Sequence, residues 1–103
     1  MRKFETLLLL SPELSSEART SLLEGLKGVI EREGGKVLTE DLWGMRDLAY
    51  PVKKQMRGFY VRFEYAGPGT LVAELERNIR IAEGIFKFVT VKLADAVEEE
   101  VAS

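Results

Sequence analysis

Twice along this chain a period of two gives way to a period between three and four and then returns, and few folds accommodate that order in 103 residues. Residues 2–10 (RKFETLLLL) read as an apolar strand suited to the middle of a sheet. Ser11-Pro12 breaks it. Ser15 or Ser16 can cap a helix, with Glu17 in the first turn, where the helix dipole favours an acid. Ala18, Leu22, Leu26, Val29 and Ile30 recur at spacings that make one buried helical face, and Gly34-Gly35 ends the helix by supplying the left-handed cap. Lys36 to about Asp47 reads as a second, less apolar strand at a sheet edge, where Pro51 costs no ladder bond. Lys53–Arg57 reads as a basic connection. In a third strand, Gly58–Tyr65, Phe59, Val61, Phe63 and Tyr65 share one face and Tyr60, Arg62 and Glu64 the other. Gly67-Pro68-Gly69 turns the chain, Thr70 can cap a second helix with Val72, Leu75, Ile79 and Ala82 on its buried stripe, and Gly84 closes it. Ile85–Leu93 is a fourth strand, apolar on both faces except at Lys87, Thr90 and Lys92.

Strand, helix, strand, strand, helix, strand is two βαβ halves, which makes the chain α+β: a ferredoxin-like βαββαβ sandwich. Right-handed crossovers place the first and third strands in the middle of a four-stranded antiparallel sheet, with two helices on one face. The other face is left open. One domain spans residues 1–94. Residues 95–103 carry four acids and no base, without a periodic core, and read as a disordered acidic tail. The chain carries −2 and that tail −4, so residues 1–94 are mildly basic at +2.

The chain has no Cys and no His. Disulfides, thiol nucleophiles, thiolate zinc sites and Ser-His triads are therefore excluded, together with the usual general base and the commonest metal ligand. No catalytic site, metal or cofactor is expected. Leu7–Leu10, the longest run of Leu, Ile, Val or Phe, is far too short for a membrane span or a signal core, so a cytoplasmic protein is expected.

The stretch Trp43–Tyr65 holds the only Trp, all three Tyr, two of five Phe and five of fifteen Lys and Arg, and carries a net +3. Cations interleaved with rings suit a nucleic-acid surface, because the cations meet phosphates while the rings stack on bases. A solvated strand face with a charged loop is the plainer reading of the same residues. Three modules share this topology. An RNA-recognition module needs stacking aromatics on one face of its third strand, yet Arg57-Gly58-Phe59-Tyr60 matches its motif only with one residue deleted, and adjacent Phe59 and Tyr60 point to opposite faces. A small phosphatase needs a basic, Gly-rich phosphate cradle after the first strand, where Leu10-Ser11-Pro12-Glu13-Leu14 offers an acid instead. Glu40-Asp41 reads as an exposed strand end rather than an acid–base pair. A cytoplasmic small-molecule-binding regulatory domain needs no fixed motif and stands as the alternative.

Gly44-Met45-Arg46-Asp47-Leu48-Ala49-Tyr50-Pro51-Val52-Lys53 resembles a signature of Gly, any, basic, polar, Leu, small, Tyr, any, Ile, then small or basic, with Val52 in place of Ile. That signature marks the family of the sixth protein of the bacterial small ribosomal subunit. The opening Met1-Arg2-Lys3-Phe4-Glu5, the strand start Arg57-Gly58-Phe59-Tyr60 and Asn78-Ile79-Arg80-Ile81 are similar to that family too, in the same order, over about residues 1–94. The resemblance implies a non-enzymatic ribosomal protein of ferredoxin-like fold. It also implies binding to the central domain of 16S ribosomal RNA together with the eighteenth small-subunit protein.

The residues expected to meet RNA are Arg2, Lys3, Arg46, Lys53, Lys54, Arg57, Tyr60, Arg62 and Lys87. For the protein partner, the facing that buries Phe4, Phe86 and Phe88 leaves Leu7, Leu9, Val89 and Val91 as an apolar patch on the open face. The opposite facing of the last strand would bury Val89 and Val91.

Overall fold

The computed structural model describes residues 2–94, and along them six elements follow in the expected order. They are β1 (Arg2–Leu10), α1 (Ser16–Arg32), β2 (Lys36–Val52), β3 (Gln55–Gly67), α2 (Thr70–Ile81) and β4 (Ile85–Ala94). The acidic tail expected at 95–103 lies outside the described residues. All strand pairs are antiparallel in the order β2-β3-β1-β4, so the two most cleanly patterned strands are central. Among the described residues no helix is long and apolar enough to cross a membrane.

Alternation along the central strands decides which face is buried. Pairing of β1 with β3 sets Phe4 opposite Tyr65, Thr6 opposite Phe63 and Leu8 opposite Val61. These side chains face Leu23, Leu26, Val29 and Ile30 of α1 and Leu71, Leu75 and Ile79 of α2, which together form the core. Each large apolar side chain buried there stabilises the fold by about 1.5–3 kcal/mol. Thr6 is the polar member of this layer. Its Oγ1 lies 2.8 Å from the Tyr65 hydroxyl and 2.9 Å from Thr90 Oγ1, so both buried hydroxyls of this layer have a partner.

Both helices differ in detail from their sequence pattern. Ser15 caps α1 as expected, its Oγ accepting from the Ala18 N–H at 3.0 Å. The buried stripe, however, uses Leu23, while Leu22 flanks the core and Ala18 is exposed. At the end of α1, Gly34 adopts φ +86° and the Gly35 N–H donates to the Ile30 carbonyl at 2.8 Å. Thr70 does not cap α2. Gly69 holds that position without a side-chain bond, and Leu71 rather than Val72 is buried.

The last strand takes the facing that exposes Val89 and Val91, opposite Leu7 and Glu5 respectively, while Phe88 packs on the core beside Leu8. Phe86 falls at a register irregularity between Leu9 and Leu10, where Ile85 packs on the core instead.

The largest departure is in the β2–β3 hairpin. The ladder continues to a Val52–Gln55 pair, so the connection shrinks from Lys53–Arg57 to the two residues Lys53 and Lys54. Both have positive φ, +51° and +65°. That is the pattern of the two-residue turn whose twist suits a hairpin, and it usually takes Asn-Gly. Below the turn the register jumps from Asp47–Arg57 to Val52–Gln55. Residues 48–51 of β2 therefore oppose the single Met56 of β3. The surplus arches over the sheet, and Pro51 sits within it, where its missing N–H breaks no ladder bond.

Candidate nucleic-acid interface

The arch brings Tyr50 across the open face to β4. Lys87 Nζ donates to the Tyr50 hydroxyl at 3.5 Å and lies 5.1 Å from the ring centroid. Beneath this contact Leu9, Leu48, Val52 and Tyr60 line a pocket of about 210 Å³. Leu9, expected on an uncovered patch, is consequently only 4% exposed. It also packs against Gly58 so closely that a Cβ there would overlap its Cδ1. Leu7 is half-buried, whereas Val89 and Val91 are open to solvent.

The expected RNA-contacting residues divide into three groups. Arg46, Lys53, Lys54 and Arg57 lie together on the exposed β2–β3 ribbon, with Lys87 beside its arch. Arg46 donates to the Trp43 carbonyl through Nε and one terminal nitrogen at 3.4 and 3.3 Å, and Arg57 pairs with Asp47 at 3.1 Å. Among the described residues Arg46, Lys53, Lys54 and Lys87 enter no ion pair. Tyr60 sits under the ribbon with its ring 6.3 Å from that of Trp43.

Arg62 is different. It stands between Glu5 (2.7 Å), Asp41 (3.0 Å) and Glu64 (2.5 Å), and Lys3 holds the far side of Glu64 at 3.0 Å. The hydrogen bonds that Arg62 donates to Glu5, then to Glu64, raise its pKa further above its already high value. The Lys3 ammonium, then Arg62, holds the Glu64 carboxyl below its usual range despite partial burial. With two cations set among three acids, Lys3 and Arg62 present no surplus positive charge to a phosphate. Asp41 is no strand end but a mid-strand partner of Arg62, and Glu40 accepts from Lys27 at 3.0 Å. Arg2 lies apart from the ribbon, its guanidinium against Gly69 at the start of α2.

Two surface rings join the candidates although the sequence pattern does not single them out. Trp43 is 43% exposed and Tyr50 is 62% exposed, and both flank the unpaired cations of the ribbon. Their signal lies in the same basic, aromatic stretch, but their accessibility follows from the length and arch of the hairpin.

Comparison with known proteins gives a consistent result. The family model described as ribosomal protein S6 matches residues 3–92. The chain is 75% identical over 99 residues to the small ribosomal subunit protein bS6 of Nitratidesulfovibrio vulgaris, covering 96% of this chain and 98% of that one. It is 68% identical over 102 residues to the corresponding protein of Desulfovibrio desulfuricans, covering 99% and 100%. The crystal structure of the 30S ribosomal protein S6 from Thermotoga maritima superposes with a TM-score of 0.85 at 30% identity, covering 89% of this chain and 87% of that one.

Proposed function

The chain belongs to the ribosomal protein S6 family and is a structural, non-enzymatic constituent of the small ribosomal subunit; on that premise we propose that it binds the central domain of 16S ribosomal RNA through its β2–β3 ribbon, jointly with the eighteenth small-subunit protein. One observation carries the RNA assignment: the ribbon's turn consists of two lysines held in left-handed backbone. A turn chosen for stability alone would be Asn-Gly. Lysine there costs of order 1 kcal/mol or more per residue, and such strain persists where the side chains serve a function. The turn lies on the same ribbon as Arg46, Arg57, Trp43 and Tyr50, which supply further cations and stacking surfaces.

The protein partner is assigned to the half of the open face that the ribbon leaves bare. There Val89, Val91 and Leu93 are 59%, 49% and 42% exposed, with half-buried Leu7 alongside Val89. Leu9 supports that surface from below rather than lining it. Apolar side chains grouped on one exposed face suit a protein contact, while the Arg62 network beside them offers phosphate nothing.

The test is a titration of a central-domain RNA fragment, with the partner protein present, at several salt concentrations. Lys53→Ala/Lys54→Ala should flatten the dependence of log affinity on log salt by about 0.7–0.9 for each phosphate no longer neutralised, with the melting temperature nearly unchanged. An unchanged slope would remove the ribbon from the RNA interface.

A further inference from the structure

We propose that the pocket under the Tyr50 arch receives a single unstacked RNA base, with its backbone phosphate lying toward Lys87. This rests on the RNA-binding reading above and adds a site to it. The cavity lies under the bulge, with Leu48, Ala49 and Tyr50 of the surplus residues in its wall together with Leu9 and Tyr60 of the sheet. Its volume, about 210 Å³, lies below the roughly 300–1,000 Å³ of pockets that enclose drug-sized ligands, so it suits one ring system rather than a whole metabolite.

The lining fits that occupant. Leu9, Leu48 and Val52 supply aliphatic surface, and the Tyr60 and Tyr50 rings supply faces for stacking. Lys87, opposite Leu9 in the ladder, carries the cation at the rim. Base recognition in RNA works by splaying a base out of its stack onto aromatic side chains, with cations on the flanking backbone. Charge decides between occupants. The charged residues of the lining are Lys87 and Asp47; Asp47 is already paired with Arg57, which leaves Lys87 as the surplus cation, and Arg46, Lys53 and Lys54 lie on the same ribbon. A polyanion is favoured there, whereas an apolar protein side chain would gain nothing from those cations.

The test uses the full chain with labelled methyl groups. The protein partner is added first and a central-domain RNA fragment second, and the Leu9, Leu48 and Val52 methyl resonances are followed. They should stay in place at the first addition and move at the second, displaced by the ring current of the entering base. Movement with the partner alone would give the pocket to protein. RNA binding without any movement would leave the pocket empty and overturn the proposal while sparing the ribbon. Ala49→Trp, at an exposed lining position, provides a second readout by filling the space. It should weaken RNA binding about tenfold or more while the salt slope falls by no more than the roughly 0.7–0.9 of the one phosphate held at Lys87, because the base is shut out while the turn lysines keep their contacts. Undiminished affinity in Ala49→Trp would also overturn the proposal. Failure of the lysine double variant to change the slope would instead count against RNA contact by the ribbon.

Discussion

Replacing the turn lysines with the residues that the backbone prefers should raise stability and lower RNA affinity together. In Lys53→Asn/Lys54→Gly the backbone at φ +51° and +65° need not change, but Asn tolerates that region and Gly adopts it freely. Relief of left-handed strain, full at Gly and only partial at Asn, is worth roughly 1–2 kcal/mol over the two positions. Glycine's greater freedom in the unfolded chain offsets about 0.4–1 kcal/mol of this. A net gain near 1 kcal/mol is expected, which raises the melting temperature of a domain of this size by about 4–8 °C. RNA binding moves the other way. With two phosphates no longer neutralised, the slope of log affinity against log salt should fall by about 1.4–1.8. Thermal unfolding and the salt-series titration measure the two effects, and Lys53→Ala/Lys54→Ala separates them, since it removes charge without relieving strain. A melting temperature that does not rise would refute the strain argument. A stabilised variant with an unaltered slope would refute the idea that the strain is retained for RNA.

Leu9→Asp should destabilise or unfold the protein, because it buries a charge under the arch in place of a side chain that is 4% exposed. Val89→Asp, by contrast, should keep the melting temperature within a few degrees while weakening the complex with the protein partner, as sedimentation or calorimetry would show. The depressed Glu64 carboxyl contributes stability that is full above its unfolded pKa and is lost as pH falls through its folded one, on the acid side of its ordinary value of 4.5. Acid unfolding of Glu64→Gln should therefore show a weaker pH dependence over that window than the unaltered chain, and identical profiles would mean that the Lys3–Glu64–Arg62 cluster contributes little. Removing residues 95–103, with their four acids, should leave RNA binding intact, since carboxylates gain nothing beside a polyanion.

What was legible in the sequence is what is local or periodic. Alternation from Phe59 to Tyr65 assigns the two faces of β3, and the same logic orients β1 and orders the strands. The misplaced features depend on register between distant segments. Arg62 looks like an open-face cation until pairing sets Asp41 opposite it on one side and brings Glu5 diagonally near on the other. Leu9 looks exposed until the bulge at 48–51 covers it, and nothing in Leu48-Ala49-Tyr50-Pro51 announces a bulge rather than the end of a strand. The turn escaped for a related reason. Lys-Lys carries no hairpin signal, so only the Val52–Gln55 pair reveals that the ladder runs to the tip. For α1, Leu22 and Leu23 both suit a buried stripe, and packing against the sheet chooses between them.

The central claim is that this protein meets ribosomal RNA through the arched β2–β3 ribbon rather than through its helices. Ultraviolet crosslinking within purified small subunits, with the crosslinked peptides identified by mass spectrometry, tests it most directly. Adducts should concentrate on residues 43–57, with Tyr50 and Trp43 foremost because their exposed rings stand among unpaired cations. Adducts confined to α1 and α2, with the ribbon unmodified, would contradict the account.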